Sequence, residues 1–216
     1  MPELPEVAAL ARFPTERSAG TVVERAEVAA LSALKTFSPP IDALHGRQIA
    51  SWKRWGKYLG MDAGGLWLIT HLARGGWVQW RERTPPARAK PGRGPLTLRV
   101  GLSSGAGFDI TEQGTEKRLA LWVVGEPQAV DGLARLGPDP LSEDFDVGAL
   151  AALLAGRPGH LKNVLVDQSA LAGVGNAYSD EALHAARLSP FKPAAKMTEE
   201  EVARLHGALV GVLSDA

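Results

Sequence analysis

The spacing of hydrophobic and polar residues along this chain changes once, near residue 130. Residues 3–13 read as a helix, which Pro14 is expected to end or bend. From about residue 21, short apolar and aromatic runs alternate with Gly, Asp and Ser. "QIASWKRWGKYLGMD", "LWLITHL", "GWVQW", "LTLRVGL", "GFDIT" and "LALWVV" each read as strand. Asp62-Ala63-Gly64-Gly65 and "GLSSGAGF" are hairpin-turn candidates. Residues 84–95, "TPPARAKPGRGP", form a basic Pro/Gly stretch that reads as a solvated linker. A boundary segment with Pro127, Pro138 and Pro140 follows, and then the texture becomes helical. "DVGALAALLAG" predicts a helix from near Asp146; "HLKNVLVDQ" and "GNAYSDEALHAARL" predict two more. "MTEEEVARLHGALVGVLSDA" predicts a fourth, with Thr198 as N-cap and Glu201 completing a capping box. The expected class is α+β, with a β-rich domain over 1–127 and a helical domain over 131–216. The fourth helix is still periodic at Val212 and Leu213 with no stop signal after it, which reads as a chain cut short.

Composition narrows the picture. The chain has 216 residues, 45% of them hydrophobic, and no apolar run near the roughly 20 residues that cross a bilayer. The acidic start has no apolar stretch behind it, so the reading is cytoplasmic, without a signal peptide or membrane partner. With no cysteine, disulfides and thiolate zinc sites are excluded from these residues. Net charge is zero but unevenly spread: residues 1–130 carry +5 and residues 131–216 carry −5. A neutral chain can still carry a basic face.

Two stretches carry candidate chemistry. "MPELPEV" puts Pro2 directly behind the initiator methionine and Glu3 directly behind Pro2. Pro5 and the acids suit the start of a helix; that accounts less well for Pro2, the residue whose amine trimming of Met1 would free. In "LVDQSALAGVGNAYSDEAL" a glycine turn leads into a helix at Asn176. Glycines and a helix N-terminus together offer outward N–H donors for a phosphate. An ordinary connection capped by Asn176 fits the same residues.

Together, "MPELPEV", "KRWGKYLGM", "LITHLARGG" and "DQSALAGVGNAYSDEAL" resemble, in order and separation, the formamidopyrimidine-DNA glycosylase/endonuclease VIII (Fpg/Nei) family, over nearly the whole chain. The resemblance implies a β-sandwich with an N-terminal helix, then a helical domain with a helix–two-turn–helix motif. It implies a base-excision repair glycosylase with AP lyase activity on double-stranded DNA holding a damaged base or abasic site. The Pro2 amine would form a Schiff base and cleave by β,δ-elimination. By the same resemblance Glu3 is the catalytic carboxylate and Glu6 supports it. Lys57 binds a phosphate near the reacting nucleotide and donates a proton. His71, Arg157, Gly175, Asn176, Lys117 and Arg118 contact DNA. A monomer associated with the nucleoid and needing no cofactor is expected. A non-catalytic or weakly active binder of abasic DNA with the same fold is the alternative.

The sequence also departs from that pattern. Arg74 stands where purine-specific members place a void-filling methionine, and Lys117, Arg118 and Leu119 stand near an arginine-arginine-phenylalanine run. Apolar wedges commonly fill the gap left by an extruded base; a planar guanidinium can stack there instead. No zinc finger, with or without metal, falls within these residues. While Met1 remains attached, the nitrogen of Pro2 is an amide.

Overall fold

Among the described residues, short apolar and aromatic runs build eight strands between Val23 and Val124. They are β1 (Val23–Val28), β2 (Ser51–Trp55), β3 (Tyr58–Asp62), β4 (Trp67–His71), β5 (Gly76–Arg81), β6 (Leu96–Leu102), β7 (Gly107–Glu112) and β8 (Ala120–Val124). They form two antiparallel four-stranded sheets, in the orders β1-β6-β7-β5 and β2-β3-β4-β8. Leu98, Val100, Phe108 and Ile110 from one sheet share a single apolar core with Leu59, Met61, Leu68 and Val123 from the other. Burial of this double face is the sandwich's main source of stability.

The computed structural model describes residues 1–92 and 94–216. It has two compact units: Met1–Pro2 with Val7–Ala134, and Glu3–Glu6 with Arg135–Ala216. The second unit is helical, with α3 (Val147–Ala155), α4 (Leu161–Val166), α5 (Asn176–Ala185) and α6 (Glu199–Ser214). Leu150, Leu154, Leu161, Leu165, Leu183, Leu205 and Leu209 form its core, joined by Leu4. Asp146 caps α3 by accepting from Ala149 N–H at 2.8 Å, and Thr198 and Glu201 form the capping box of α6. The short α2 (Asp131–Ala134), expected with the helical half, belongs to the β-rich unit. Among the described residues no helix is long and apolar enough to cross a membrane.

Three local expectations are corrected. First, α1 (Leu4–Ser18) runs through Pro14 instead of ending there. Proline removes an N–H and costs a helix interior about 3 kcal/mol. Two hydroxyls also bond back within these turns: Thr15 Oγ1 donates to Ala11 O at 2.8 Å and Ser18 Oγ to Pro14 O at 2.6 Å. Leu10, Ala11 and Pro14 are buried as well, so packing holds the last turns. Second, the run read as one strand from Gln48 to Asp62 is a hairpin. Trp55 pairs with Tyr58 across Gly56-Lys57, and Gly56 takes φ +52°. Third, residues 84–95 are tied down at several points. Arg25 donates to the carbonyls of Pro85 and Pro86, and Ala89 N–H donates to Glu27 Oε2 at 3.0 Å. Arg93 in that stretch lies outside the described residues.

Ser18 is fully buried; besides donating to Pro14 it accepts from Trp52 Nε1 at 3.0 Å. Ser18→Ala leaves the indole N–H without its acceptor and should cost about 1–3 kcal/mol in urea denaturation. A loss below about 0.5 kcal/mol would mean that Trp52 finds another acceptor.

Candidate active site

The turn before α5 is built around glycine for two reasons. Gly173 has φ +88°, and a Cβ there would lie 2.8 Å from that of Leu4. Its carbonyl accepts from Leu4 N–H at 3.0 Å, and its N–H donates to Gln168 Oε1 at 2.9 Å. Gln168 Nε2 in turn donates to Val174 O at 2.7 Å, so one side chain braces both arms of the turn.

A helix starts with N–H groups that have no partner inside it. Gly175, the N-cap of α5, has no side chain to offer them. Glu3 supplies the acceptor from the far end of the sequence. Its Oε2 accepts from Gly175 N–H at 2.7 Å and from Tyr178 N–H at 3.4 Å, and its Oε1 from Ala177 N–H at 3.1 Å. Glu3 is only 5% exposed. The anion at this helix terminus is therefore the chain's own carboxylate. The Gly175 N–H thus points at Glu3, while Asn176 stands exposed as the first residue of α5.

Glu6 fixes Glu3 from behind. Its Oε2 accepts from the backbone N–H of Glu3 at 2.9 Å, and its Oε1 accepts from the hydroxyl of Tyr178 at 2.9 Å. Burial, the hydrogen bond to Glu6 and the charges of Glu6, Glu181 and Glu3 push the Tyr178 phenol up to about 12. Tyr178 thus stays protonated and remains a donor. The sequence reading missed Tyr178, because only the fold sets the first turn of α5 against Glu6. Pro2, half-buried, precedes this anchored pair, with Met1 attached to its nitrogen. Arg157 is pinned within the helical unit, donating to Asp167 Oδ2 and to Ser169 O, each at 3.0 Å.

The β-rich unit gathers the remaining candidates at one end. Lys57, 5% exposed, sits in the β2–β3 turn. His71 closes β4 opposite Tyr58, with ring centroids 4.9 Å apart, and pairs on its other side with Ala120. Burial first, then the charge of Lys57, holds the His71 imidazole below its ordinary range. It is therefore neutral at pH 7. The crossover carrying Arg74 follows directly, with Ala73 at φ +51°. It lies against the 113–119 crossover through Gln113 N–H to Gly75 O at 2.9 Å. Buried Glu112 shapes that second loop by accepting from Arg118 N–H at 2.7 Å and Leu119 N–H at 3.0 Å. Lys117 donates to the Glu112 carbonyl, and the Arg118 guanidinium pairs with exposed Glu116. Glu3, Glu6, Gly175 and Asn176 thus meet in one unit, and Lys57, His71, Arg74, Lys117 and Arg118 converge in the other.

Family models match both parts of the chain: the formamidopyrimidine-DNA glycosylase N-terminal domain over residues 1–112 and the H2TH domain of that enzyme over residues 136–216. The chain is 39% identical to the formamidopyrimidine-DNA glycosylase of Moorella thermoacetica, over 99% of its own length and 77% of the relative's. The chain belongs to the formamidopyrimidine-DNA glycosylase family. The Fpg structure from Thermus thermophilus is similar over the whole chain and 76% of its own, with TM-score 0.83 and 33% identity. The Lactococcus lactis Fpg solved with DNA containing an AP site gives TM-score 0.86 at 26% identity, covering 99% of this chain and 80% of that one.

Two measurements check this geometry within the Fpg frame. Glu3→Ala strips three N–H groups of their acceptor and should destabilise the fold by about 1–3 kcal/mol, with Glu3→Gln recovering part of the loss. For His71, the unfolded state binds a proton near pH 6.5 while the folded state resists it. Stability is complete above that pH and falls as pH drops through the window below it, where the unfolded chain holds more protons. His71→Gln should flatten that slope in pH-dependent thermal melts.

Proposed function

We propose that this chain is a DNA glycosylase of base-excision repair that also cleaves abasic sites, with the amine of Pro2 as nucleophile once Met1 is removed. The observation that carries the reading is the anchored Glu3 carboxylate, which stands one residue from that amine and is held through both its oxygens and its backbone N–H.

The amine lone pair bonds to C1′ of the damaged nucleoside, and the glycosidic bond breaks as the base departs with the electron pair. The proton lost from the amine passes to Glu3 and then to O4′ as the C1′–O4′ bond opens, leaving an iminium ion. An α-amino group has a pKa of about 7.7–8.0, so a useful fraction is unprotonated near neutrality. The iminium acidifies C2′, whose proton passes to water; the C–H electron pair forms an enamine, which expels the 3′ phosphate as the C3′–O bond breaks. A second elimination releases the 5′ phosphate. Lys57 provides the cation for a phosphate near the sugar, and neutral His71 provides an N–H. Arg74, Lys117 and Arg118 face the gap left by the extruded base, Arg74 by stacking, while Asn176 and Arg157 steady the backbone. Because Arg74 replaces an apolar wedge, the lesion preference differs from that of oxidised-guanine enzymes.

Borohydride reduction on an abasic duplex should trap a covalent complex with protein whose mass shows Met1 removed. Pro2→Gly should impair trapping. Glu3→Gln should lower base excision by about 10²–10⁴-fold while duplex binding persists. Protein that retains Met1 should bind without cleaving. If the processed chain binds abasic duplex but is never trapped, the non-catalytic binder is correct.

A further inference from the structure

Strand β5 is an edge of its sheet, and its alternate residues divide cleanly. Val78 points into the core and Trp80 packs against it, whereas Trp77, Gln79 and Arg81 fall on the outer face. Outward side chains at i, i+2 and i+4 stand about 6.6–6.8 Å apart in succession. Trp77 is 44% exposed, which is unusual for the largest apolar side chain, and the Arg81 side chain is 42% exposed.

This row is held rigidly. Arg81 Nε donates to Asp109 Oδ2 at 3.0 Å, and Arg99 Nε donates to Asp109 Oδ1 at 2.8 Å. The buried carboxylate thus fixes two guanidiniums; Arg99 also faces Glu27 on β1, while the Arg81 side chain stays 42% exposed. Arg81 Nη2 also donates to Gln79 Oε1 at 3.1 Å, orienting the amide. At the other end, Trp77 pairs with Thr111, and Gly76 N–H closes on Leu72 O at 2.9 Å. A Cβ at Gly75 or Gly76 would collide with the backbone of Gln113 or Leu72, so the mount beneath Trp77 has little freedom. Trp77 also follows, by three residues, the turn that carries Arg74.

From this arrangement we propose that the outer row of β5 binds an unpaired nucleotide segment: a base stacks on Trp77, Gln79 offers its amide, and Arg81 meets a phosphate. Aromatic faces joined to a planar cation take single-stranded nucleic acid with little sequence preference. A peptide adding to the strand edge would use backbone N–H and C=O groups and would be indifferent to the outward indole. The proposal rests on the reading of this chain as a DNA-binding enzyme, and it gives that enzyme a contact for single-stranded DNA on its β-rich unit.

The test measures fluorescence anisotropy of a labelled oligo-dT with wild type, Trp77→Ala and Trp77→Phe, with thermal melts confirming that each variant is folded. Trp77→Ala should weaken binding by about 5- to 150-fold, the range for loss of one base–aromatic stack. Trp77→Phe should restore most of it, and oligo-dT should quench tryptophan emission in wild type more than in Trp77→Phe. Equal binding by folded Trp77→Ala and wild type overturns the proposal, as does absence of oligo-dT binding by wild type. Borohydride trapping on abasic duplex separates the two readings. Trapping by wild type together with a silent Trp77→Ala removes the platform alone; a working platform without trapping removes the Pro2 chemistry alone.

Discussion

A carboxylate at the start of the chain satisfies a helix start 172 residues later, and the organisation of the helical unit depends on it. Every α-helix must find acceptors for its first N–H groups, and most use a side chain at the N-cap. With Gly175 there, α5 has none of its own. Glu3 meets the requirement, and meeting it pulls Glu3–Glu6 into the helical unit while Val7 onward packs into the sandwich core. The close approach of Leu4 to the turn then leaves room only for glycine at position 173. Tyr178 and Glu6 complete the arrangement by holding the backbone of Glu3 as firmly as α5 holds its side chain. A group that must exchange a proton in the proposed reaction is therefore also a structural anchor, and precise placement comes with some loss of freedom.

Charge in the β-rich unit follows a different logic. Burial and the neighbouring lysine keep His71 neutral, so the positive character of that end comes from Lys57, Arg74, Lys117 and Arg118. Glu112 is acidic yet serves this basic end: sealed from solvent, it accepts from two backbone N–H groups and gives the 113–119 loop its shape. On the outer face of the other sheet, Asp109 does similar work for two arginines. Burial raises its pKa, but the hydrogen bonds and charges of Arg99 and Arg81 outweigh that and hold it low.

Local signals in the sequence foretold the features whose partners are close in the chain. The Thr198–Glu201 capping box, the Asp146 cap and the Asp62–Gly65 turn each depend on groups within three residues of one another. The family-bearing motifs were equally legible, since short runs of residues carry them. Pro14 does not end α1 because helix propensity is local, whereas the burial of Leu10, Ala11 and Pro14 that sustains the helix is tertiary. The glycine turn left two readings open for the same reason: nothing near Gly175 in sequence indicates that its N–H is taken by Glu3. Tyr178 and the tethering of residues 84–95 had no local signature, because their partners lie far along the chain.

The separation of Glu3 from its partners also has a temporal side. At the roughly 5–20 residues per second of protein synthesis, Glu3 waits about ten to thirty seconds after emerging before α5 is made. Until then the N–H groups that hold Glu3 do not exist, so the helical unit closes around α5 only when most of the chain has been made.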